Sequence, residues 1–249
     1  MTDWPQAHGR YVIDAVGSTL DEGMRMATSH PAPFWLMAHR QTAARGRRGR
    51  PWSMPEGNFA ATLMLRPEGA PGHVALRSFV MSLALHQAFI AVTGKPELFG
   101  LKWPNDVLLN GGKVAGILLE SAGRGGQADL LAIGVGVNLA SAPGPDEVEE
   151  GSVLPVSLAA ETGVCIAPED FLQHLAAAYA VFEEQFMQFG FAPLRTAWLA
   201  HAARLGEVIT ARTGQNERTG TFEDVDKDGN LMLRTATGVT RIAAADVFF

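Results

Sequence analysis

Asn110-Gly111-Gly112 is the feature that most restricts the fold, because it commits the residues on either side to pair antiparallel. Asn-Gly supplies the positive φ values of a tight hairpin, and apolar residues flank it. On the inbound side, Gly100-Leu101 leads into Lys102-Trp103-Pro104-Asn105-Asp106, a polar cluster whose proline cannot donate to a ladder. The return side runs Lys113-Val114-Ala115-Gly116-Ile117-Leu118-Leu119-Glu120. Such a hairpin brings Lys113 back near Asp106, so an ammonium and a carboxylate meet on one sheet face. Two of the chain's four lysines, against sixteen arginines, fall in this stretch. Where arginine is the default cation, a lysine points to a need for a compact charge. A surface hairpin with an ordinary salt bridge is the alternative.

The second constraint is the run Gln41-Thr42-Ala43-Ala44-Arg45-Gly46-Arg47-Arg48-Gly49-Arg50-Pro51-Trp52. Four arginines and two glycines fill six positions of a chain whose net charge is −6. Glycine lets backbone N–H groups approach a ligand, and the arginine fork suits phosphate and carboxylate oxygens. No apolar residue anchors the six, which predicts a mobile loop that orders around an anion. A solvated basic loop and a nucleic-acid contact are the competing readings. The acidic balance argues against bulk polyanion binding and favours a small anionic ligand.

Apolar runs place this loop between two strands, Phe34–Arg40 and Phe59–Leu65, and an earlier strand spans Arg10–Val16. Thr19-Leu20-Asp21-Glu22 has capping-box spacing. Ser18 and Thr19 therefore sit where a strand hands over to a helix: Thr19 either caps that helix or joins Ser18 in holding a small polar ligand. Ser78–Val92 is an apolar helix whose His86 reads as a packed or surface histidine. Leu130–Val137 is a buried strand in which Gly134 and Gly136 permit close approach by a ligand or another backbone. It lacks the third glycine and the helix of a dinucleotide fingerprint. Residues 142–152 read as a polar surface loop, and helices follow over Pro168–Phe189 and Pro193–Arg204. After Gly206 come short strands over 208–212, 218–222, 231–234 and 240–242, a small β-barrel appendage. Its Asp226–Asn230 turn lacks the ligand spacing of a calcium loop. The chain therefore divides into residues 1–204 and 205–249.

With 47% hydrophobic and 18% charged residues, the composition is globular. Cys165 is the only cysteine, which excludes an intramolecular disulfide and a cysteine-based metal site. The N-terminus has no signal pattern and no segment has the apolar length to span a bilayer, predicting a soluble, cytoplasmic protein with no membrane partner. The first strand begins near Arg10, leaving no room for a helix-turn-helix, so no DNA partner is expected.

Gln41 with the Arg/Gly loop, Lys-Trp-Pro-Asn-Asp seven residues before a lysine and Gly-Ile-Leu, and Gly-x-Gly-x-Asn stand in one order that resembles the biotin protein ligases over nearly the whole chain. The resemblance implies an α+β fold: a mixed-sheet biotin/lipoate ligase catalytic domain followed by a small C-terminal SH3-like β-barrel. It implies that biotin's carboxylate attacks the α-phosphate of Mg-ATP, giving biotinyl-5′-AMP and pyrophosphate. A lysine of a biotin carboxyl carrier domain then takes the acyl group. ATP, Mg²⁺ and biotin follow as ligands, and a homodimer is allowed.

By motif, Lys113, Arg45, Arg47 and Asp106 are the catalytic set. Ser18, Thr19, Leu20, Gln41, Gly46, Trp52, Gly116 and Ile117 join Arg45, Arg47 and Lys113 around biotin. Arg47, Arg48, Arg50, Trp52, Lys102, Asn105, Asp106 and Asn138 fall to ATP, with Asp106 also on Mg²⁺. Two positions depart from the family: Leu20 stands in place of the usual Asn, and Ala44 in place of the loop's first Gly. A lipoate or octanoate ligase of the same superfamily is the nearest rival. A non-catalytic nucleic-acid module using the arginine loop is the rival from another class.

Overall fold

The computed structural model describes residues 3–144, 153–213, 216–243 and 245–248. Seven strands form one mixed sheet. β1 (Gly9–Val16) and β2 (Phe34–Gln41) run parallel, joined through helix α1 (Thr19–Met26). β3 (Phe59–Leu65), β4 (Phe99–Lys102), β5 (Asp106–Leu109), β6 (Gly112–Arg124) and β7 (Gln127–Val137) complete it antiparallel, in the order β1-β2-β3-β7-β6-β5-β4. The Asn110-Gly111 turn closes β5 on β6 with both residues at positive φ, as the hairpin requires.

Helices α2 (Pro71–Ala75), α3 (Arg77–Thr93), α4 (Leu158–Thr162), α5 (Pro168–Phe189) and α6 (Phe191–Ala200) complete the larger unit. The period of two along a strand assigns the sheet's two faces. Trp35 and Met37 of β2 face the large core with Phe89 of α3 and Tyr179 of α5. Phe34 and Leu36 face a smaller cluster with Leu20 of α1, Met64 and Ala132. The stretch Pro71–Thr93 is long and apolar enough to cross a membrane, with mean hydropathy 1.5, which corrects the expectation that no segment is. Its most apolar window is 72% buried inside the protein, so α3 is apolar all round because other elements cover it. α6 starts two residues before the expected helix and ends four before it.

β8 (Val208–Thr213), β9 (Asn216–Val225), β10 (Leu231–Thr235), β11 (Gly238–Ile242) and β12 (Asp246–Phe248) form a second, antiparallel sheet in the order β11-β10-β9-β8-β12. β12 is missing from the sequence reading, since three residues at the chain's end carry too little pattern. This sheet is fastened to the larger unit by named contacts. The segment that leads to it from α6 is itself held on β4, where Leu101 N–H donates to His201 O at 2.8 Å and Ala203 N–H to Leu101 O at 2.8 Å. Trp103 Nε1 donates to Gly229 O at 3.0 Å, and Arg195 reaches Val225 O and Asp224. The Asp226–Asn230 turn is closed by its own carboxylate, which accepts the N–H of Asp228 and of Asn230. Of the expected surface loop, residues 145–152 lie outside the described residues.

Candidate active site

One cavity of about 550 Å³ opens beside the β5–β6 hairpin, within the ordinary range for small-molecule sites. Three structures border it: a charged floor, a polar nest and an arginine lid.

The floor comes from the hairpin. Lys113 Nζ lies 2.6 Å from Asp106 Oδ1, and Lys102 Nζ lies 3.5 Å from Oδ2. The backbone of Lys113 is held from the far side too, its N–H donating to Leu154 O at 2.8 Å and its carbonyl accepting from Val156 N at 3.0 Å. Asp106 is buried, which opposes its charge, yet Lys113, Lys102 and Arg47 outweigh burial and hold its carboxyl below the usual range. Burial pushes the Lys102 ammonium down, against the pull of Asp106. Asn105 pins the adjoining strand: its Nδ2 donates to Ile117 O at 2.6 Å and its carbonyl accepts from Ile117 N at 2.9 Å.

The expected Mg²⁺ on Asp106 does not fit this donor set. Two ammonium groups already face the carboxylate, and they would repel a dication arriving there. No cluster of three metal-ligating side chains occurs among the described residues.

Register explains Gly116 and Gly136. They are direct partners across β6 and β7, and the Trp52 indole lies over both. A Cβ at Gly136 would stand 2.6 Å from the indole, and one at Gly116 would stand 3.2 Å away. The close approach that Gly136 permits is made here by a side chain of the loop, the Trp52 indole. Lys113 Nζ sits 5.4 Å from the centre of the same ring, a cation–π contact. The carbonyl of Ala44 accepts the Trp52 N–H at 3.0 Å.

The nest is at the α1 end. Ser18, not Thr19, is the N-cap, its hydroxyl accepting from Asp21 N. That corrects the capping-box placement and leaves the Thr19 hydroxyl for another partner. Gln41 Oε1 accepts Thr19 N–H at 2.7 Å and Thr19 Oγ1 at 3.1 Å, while Thr62 Oγ1 donates to Thr19 Oγ1 at 2.9 Å. Thr62, wholly buried on β3, positions this network and was missed because a threonine inside an apolar strand reads as packing. Gln41 Nε2 meets the Met54 thioether at 3.7 Å. Leu20 is buried and makes an apolar wall of the cavity where an amide would stand.

The lid departs most from expectation. The six residues 45–50 carry no apolar side chain and, beside the Trp52 seat, are anchored by charge. Arg45 forks onto Asp21, with two contacts of 2.7 Å, and reaches Glu120 at 3.1–3.2 Å. Arg47, Arg48 and Arg50 turn to the C-terminal sheet and meet at Asp246. Asp246, Val247 and Phe248 of β12 thus join the cavity wall, and no motif pointed to them. Burial lowers the Arg47 guanidinium, with Asp246 and Asp106 acting against it. Asn138 is buried; its Nδ2 donates to Val156 O at 3.1 Å, and among the described residues its Oδ1 has no hydrogen-bond partner, an acceptor left for a donor.

A cavity with hydrogen-bonding groups at one end and fixed cations at the other defines a class: a site that seats a neutral polar head group and brings anionic groups together. Residues 11–138 match the biotin/lipoate A/B protein ligase family, and residues 205–249 match the biotin protein ligase C-terminal domain. The chain belongs to the biotin/lipoate A/B protein ligase family. It is 52% identical over 232 residues to the biotin–[acetyl-CoA-carboxylase] ligase of Paracoccus denitrificans, covering 93% of this chain and 97% of that one. It is 31% identical over 249 residues to the bifunctional ligase/repressor BirA of Bacillus subtilis (strain 168), covering 96% of this chain and 74% of the relative. Among solved structures it is similar to the biotin protein ligase from Aquifex aeolicus in complex with biotin and ATP. That match has a TM-score of 0.81 and 25% identity, over 96% of this chain and 97% of that one.

Proposed function

We propose that this chain is an ATP-dependent biotin–protein ligase of the acetyl-CoA-carboxylase type. The observation that carries the reading is one cavity with the Ser18/Thr19/Gln41 nest at one end and the Lys113–Asp106–Lys102 floor at the other. A ureido ring presents one acceptor and two donors, which the nest can match with hydroxyls and the amide of Gln41. The apolar wall with Leu20 suits the alkyl chain. In the first step a biotin carboxylate oxygen bonds to the α-phosphorus and pyrophosphate leaves. In the second, a carrier lysine amine attacks the acyl carbonyl, AMP leaves and the amine gives up a proton.

The chain's own groups serve these steps through placement. Lys113 offsets the charge where carboxylate meets phosphate, and Asp106 with Lys102 fixes its position before any ligand arrives. Arg47, Arg48 and Arg50 take the polyphosphate, Gly46 lets the loop close, and Trp52 and Ile117 shape the wall. Asn105 keeps that wall in place, and Asn138 offers its unpaired Oδ1 to the base. Arg45, saturated by two carboxylates, acts as the loop's anchor. Mg²⁺ would come as part of the Mg-ATP substrate, and the chemistry it would supply is neutralisation of phosphate charge. Residues 1–204 act as the catalytic unit and 205–249 as the appended barrel, and the protein works in the cytoplasm on a biotin carboxyl carrier domain.

Pyrophosphate release from Mg-ATP, with biotin, lipoate and octanoate compared side by side, tests the reading. Release that depends on biotin alone is expected. Release with lipoate or octanoate but not biotin would transfer the chain to the lipoate branch, and stabilisation by an oligonucleotide with none by biotin would sink the enzyme reading.

A further inference from the structure

Asp246 is the residue on which the lid converges. Arg48 Nη1 lies 2.6 Å from Oδ2, Arg50 Nη2 3.0 Å from the same oxygen, and Arg47 Nη1 3.5 Å from Oδ1. Arg47 also donates to the Ala245 carbonyl at 3.0 Å. The Asp246 side chain is 13% exposed, whereas those of Arg48 and Arg50 are 41% and 44% exposed. A half-buried acceptor from one sheet thus gathers donors from a loop of the other unit. The loop adopts a turn that its sequence would not choose for itself, with Arg48 at φ 58° in the left-handed region. Three guanidinium groups around one pair of anionic oxygens is the arrangement a phosphate demands. Asp246 also borders the cavity that those arginines face.

We infer that Asp246 is a resident anion that occupies the lid arginines until a polyphosphate displaces it. The inference rests on the reading of the cavity as a site for Mg-ATP. Binding is an exchange: the arginines leave one carboxylate, which carries a single charge, for the several charges of a polyphosphate. The carboxylate released is in β12, so the C-terminal sheet registers whether nucleotide is bound. Every nucleotide that binds must first draw on the fraction of molecules whose lid is free, which lowers its apparent affinity by that fraction.

The test compares wild type with Asp246→Asn and Asp246→Glu. Asn keeps the size and removes the charge; Glu keeps the charge. Three readouts are taken. First, tryptic cleavage after Arg47 and Arg48 without ligand should be several-fold faster for Asp246→Asn. Second, binding of inorganic pyrophosphate, measured by calorimetry, should be tighter by about 3- to 10-fold, the order expected when a latch of partly exposed ion pairs is removed. Third, KM for ATP in biotin-dependent pyrophosphate release should fall by a similar factor, with KM for biotin within about two-fold of wild type. Asp246→Glu should stay near wild type in all three.

Unchanged or weaker pyrophosphate binding by Asp246→Asn overturns the inference, because Asp246 would then brace the sheet or hold the lid in its working pose. The first two readouts need no turnover, so absent biotin activity in wild type would defeat the function reading and leave this test standing. Should Asp246→Asn not fold, the wild type serves: salt raised from about 0.05 to 0.5 M must speed cleavage at the lid relative to a control peptide, as screening weakens the latch. Unchanged relative cleavage would count against it.

Discussion

The floor and the lid of this cavity both consist of cations facing carboxylates, yet they are built in opposite ways. On the floor, Asp106, Lys102 and Lys113 stand on paired strands joined by a tight turn, and burial leaves Asp106 and Lys102 less than a tenth exposed. Their positions follow from backbone hydrogen bonds. In the lid, no regular element longer than one turn holds the arginines, and partly exposed ion pairs to α1, β6 and β12 set their places. Charge interactions strengthen with burial and weaken with exposure and salt. A fixed floor suits a group that must be in place before reaction, and a charge-held lid suits one that has to exchange partners.

The largest effect that can break this comparison is Lys113→Gln. It keeps the length and polarity of the side chain and removes the ammonium from its seat beside Asp106. Loss of one preorganised group of this kind costs on the order of 10²–10³ in rate. Pyrophosphate release should fall by that factor, biotin affinity without ATP should change far less, and Lys113→Arg should recover only part, since a planar fork does not replace a point charge. Release within a few-fold of wild type would mean that the floor is no more functional than a surface hairpin.

The same contrast explains what could be read in advance. The floor was legible because a hairpin turn and a two-residue period are local signals: Asn110-Gly111 sets the turn, which puts Lys113 opposite Leu108, two residues from Asp106. Ser18, Thr19 and Gln41 were likewise legible, as they sit at the ends of elements visible in the apolar pattern. The lid's composition was plain but its partners were not. Asp21, Glu120 and Asp246 are 24, 75 and about 200 positions from the arginines they meet, and nothing in a lone carboxylate says which cation it will face. Asp246 also lies on the strand too short to show a period. Thr62 and the seat of Trp52 over Gly116 and Gly136 depend on register between distant strands, which a single chain does not print.

An acid titration sharpens the comparison next, because buried and exposed groups act in separate pH windows. His86 of α3 is buried with its ring 4.1 Å from that of His201, and among the described residues its Nε2 has no hydrogen-bond partner. Burial, with His201 adding to it, pushes its pKa down to about 4. Above its unfolded value of 6.5 it is neutral in both states and costs nothing. As pH falls below 6.5 the unfolded chain takes up a proton that the folded one refuses, so stability drops until about pH 4. The full loss is about 3 kcal/mol, at roughly 1.4 kcal/mol per unit. Thermal unfolding from pH 7 to 4 should show a fall in Tm for wild type that His86→Gln flattens. An equal fall in both proteins would place the acid sensitivity elsewhere.

The smallest effect belongs to the lid's other anchor, Arg45 on Asp21. The contact is bidentate, but Asp21 is 62% exposed, so solvent screens it. Exposed pairs contribute about 0.2–1 kcal/mol, and a chain of this size shifts its Tm by about 2–4 °C per kcal/mol. Asp21→Asn should therefore lower Tm by only about 1–3 °C in dilute buffer, and by less in 0.5 M salt. The hydrogen bonds from Arg45 hold the Asp21 carboxyl below its ordinary 3.8. Its contribution is then complete above that value and is lost only as pH falls through the lower, folded value, beneath the His86 window. Wild type and Asp21→Asn should keep a constant Tm difference from pH 7 to 5 and converge under stronger acid. A difference that resists salt would erase the distinction between a floor held by backbone and a lid held by screened charge.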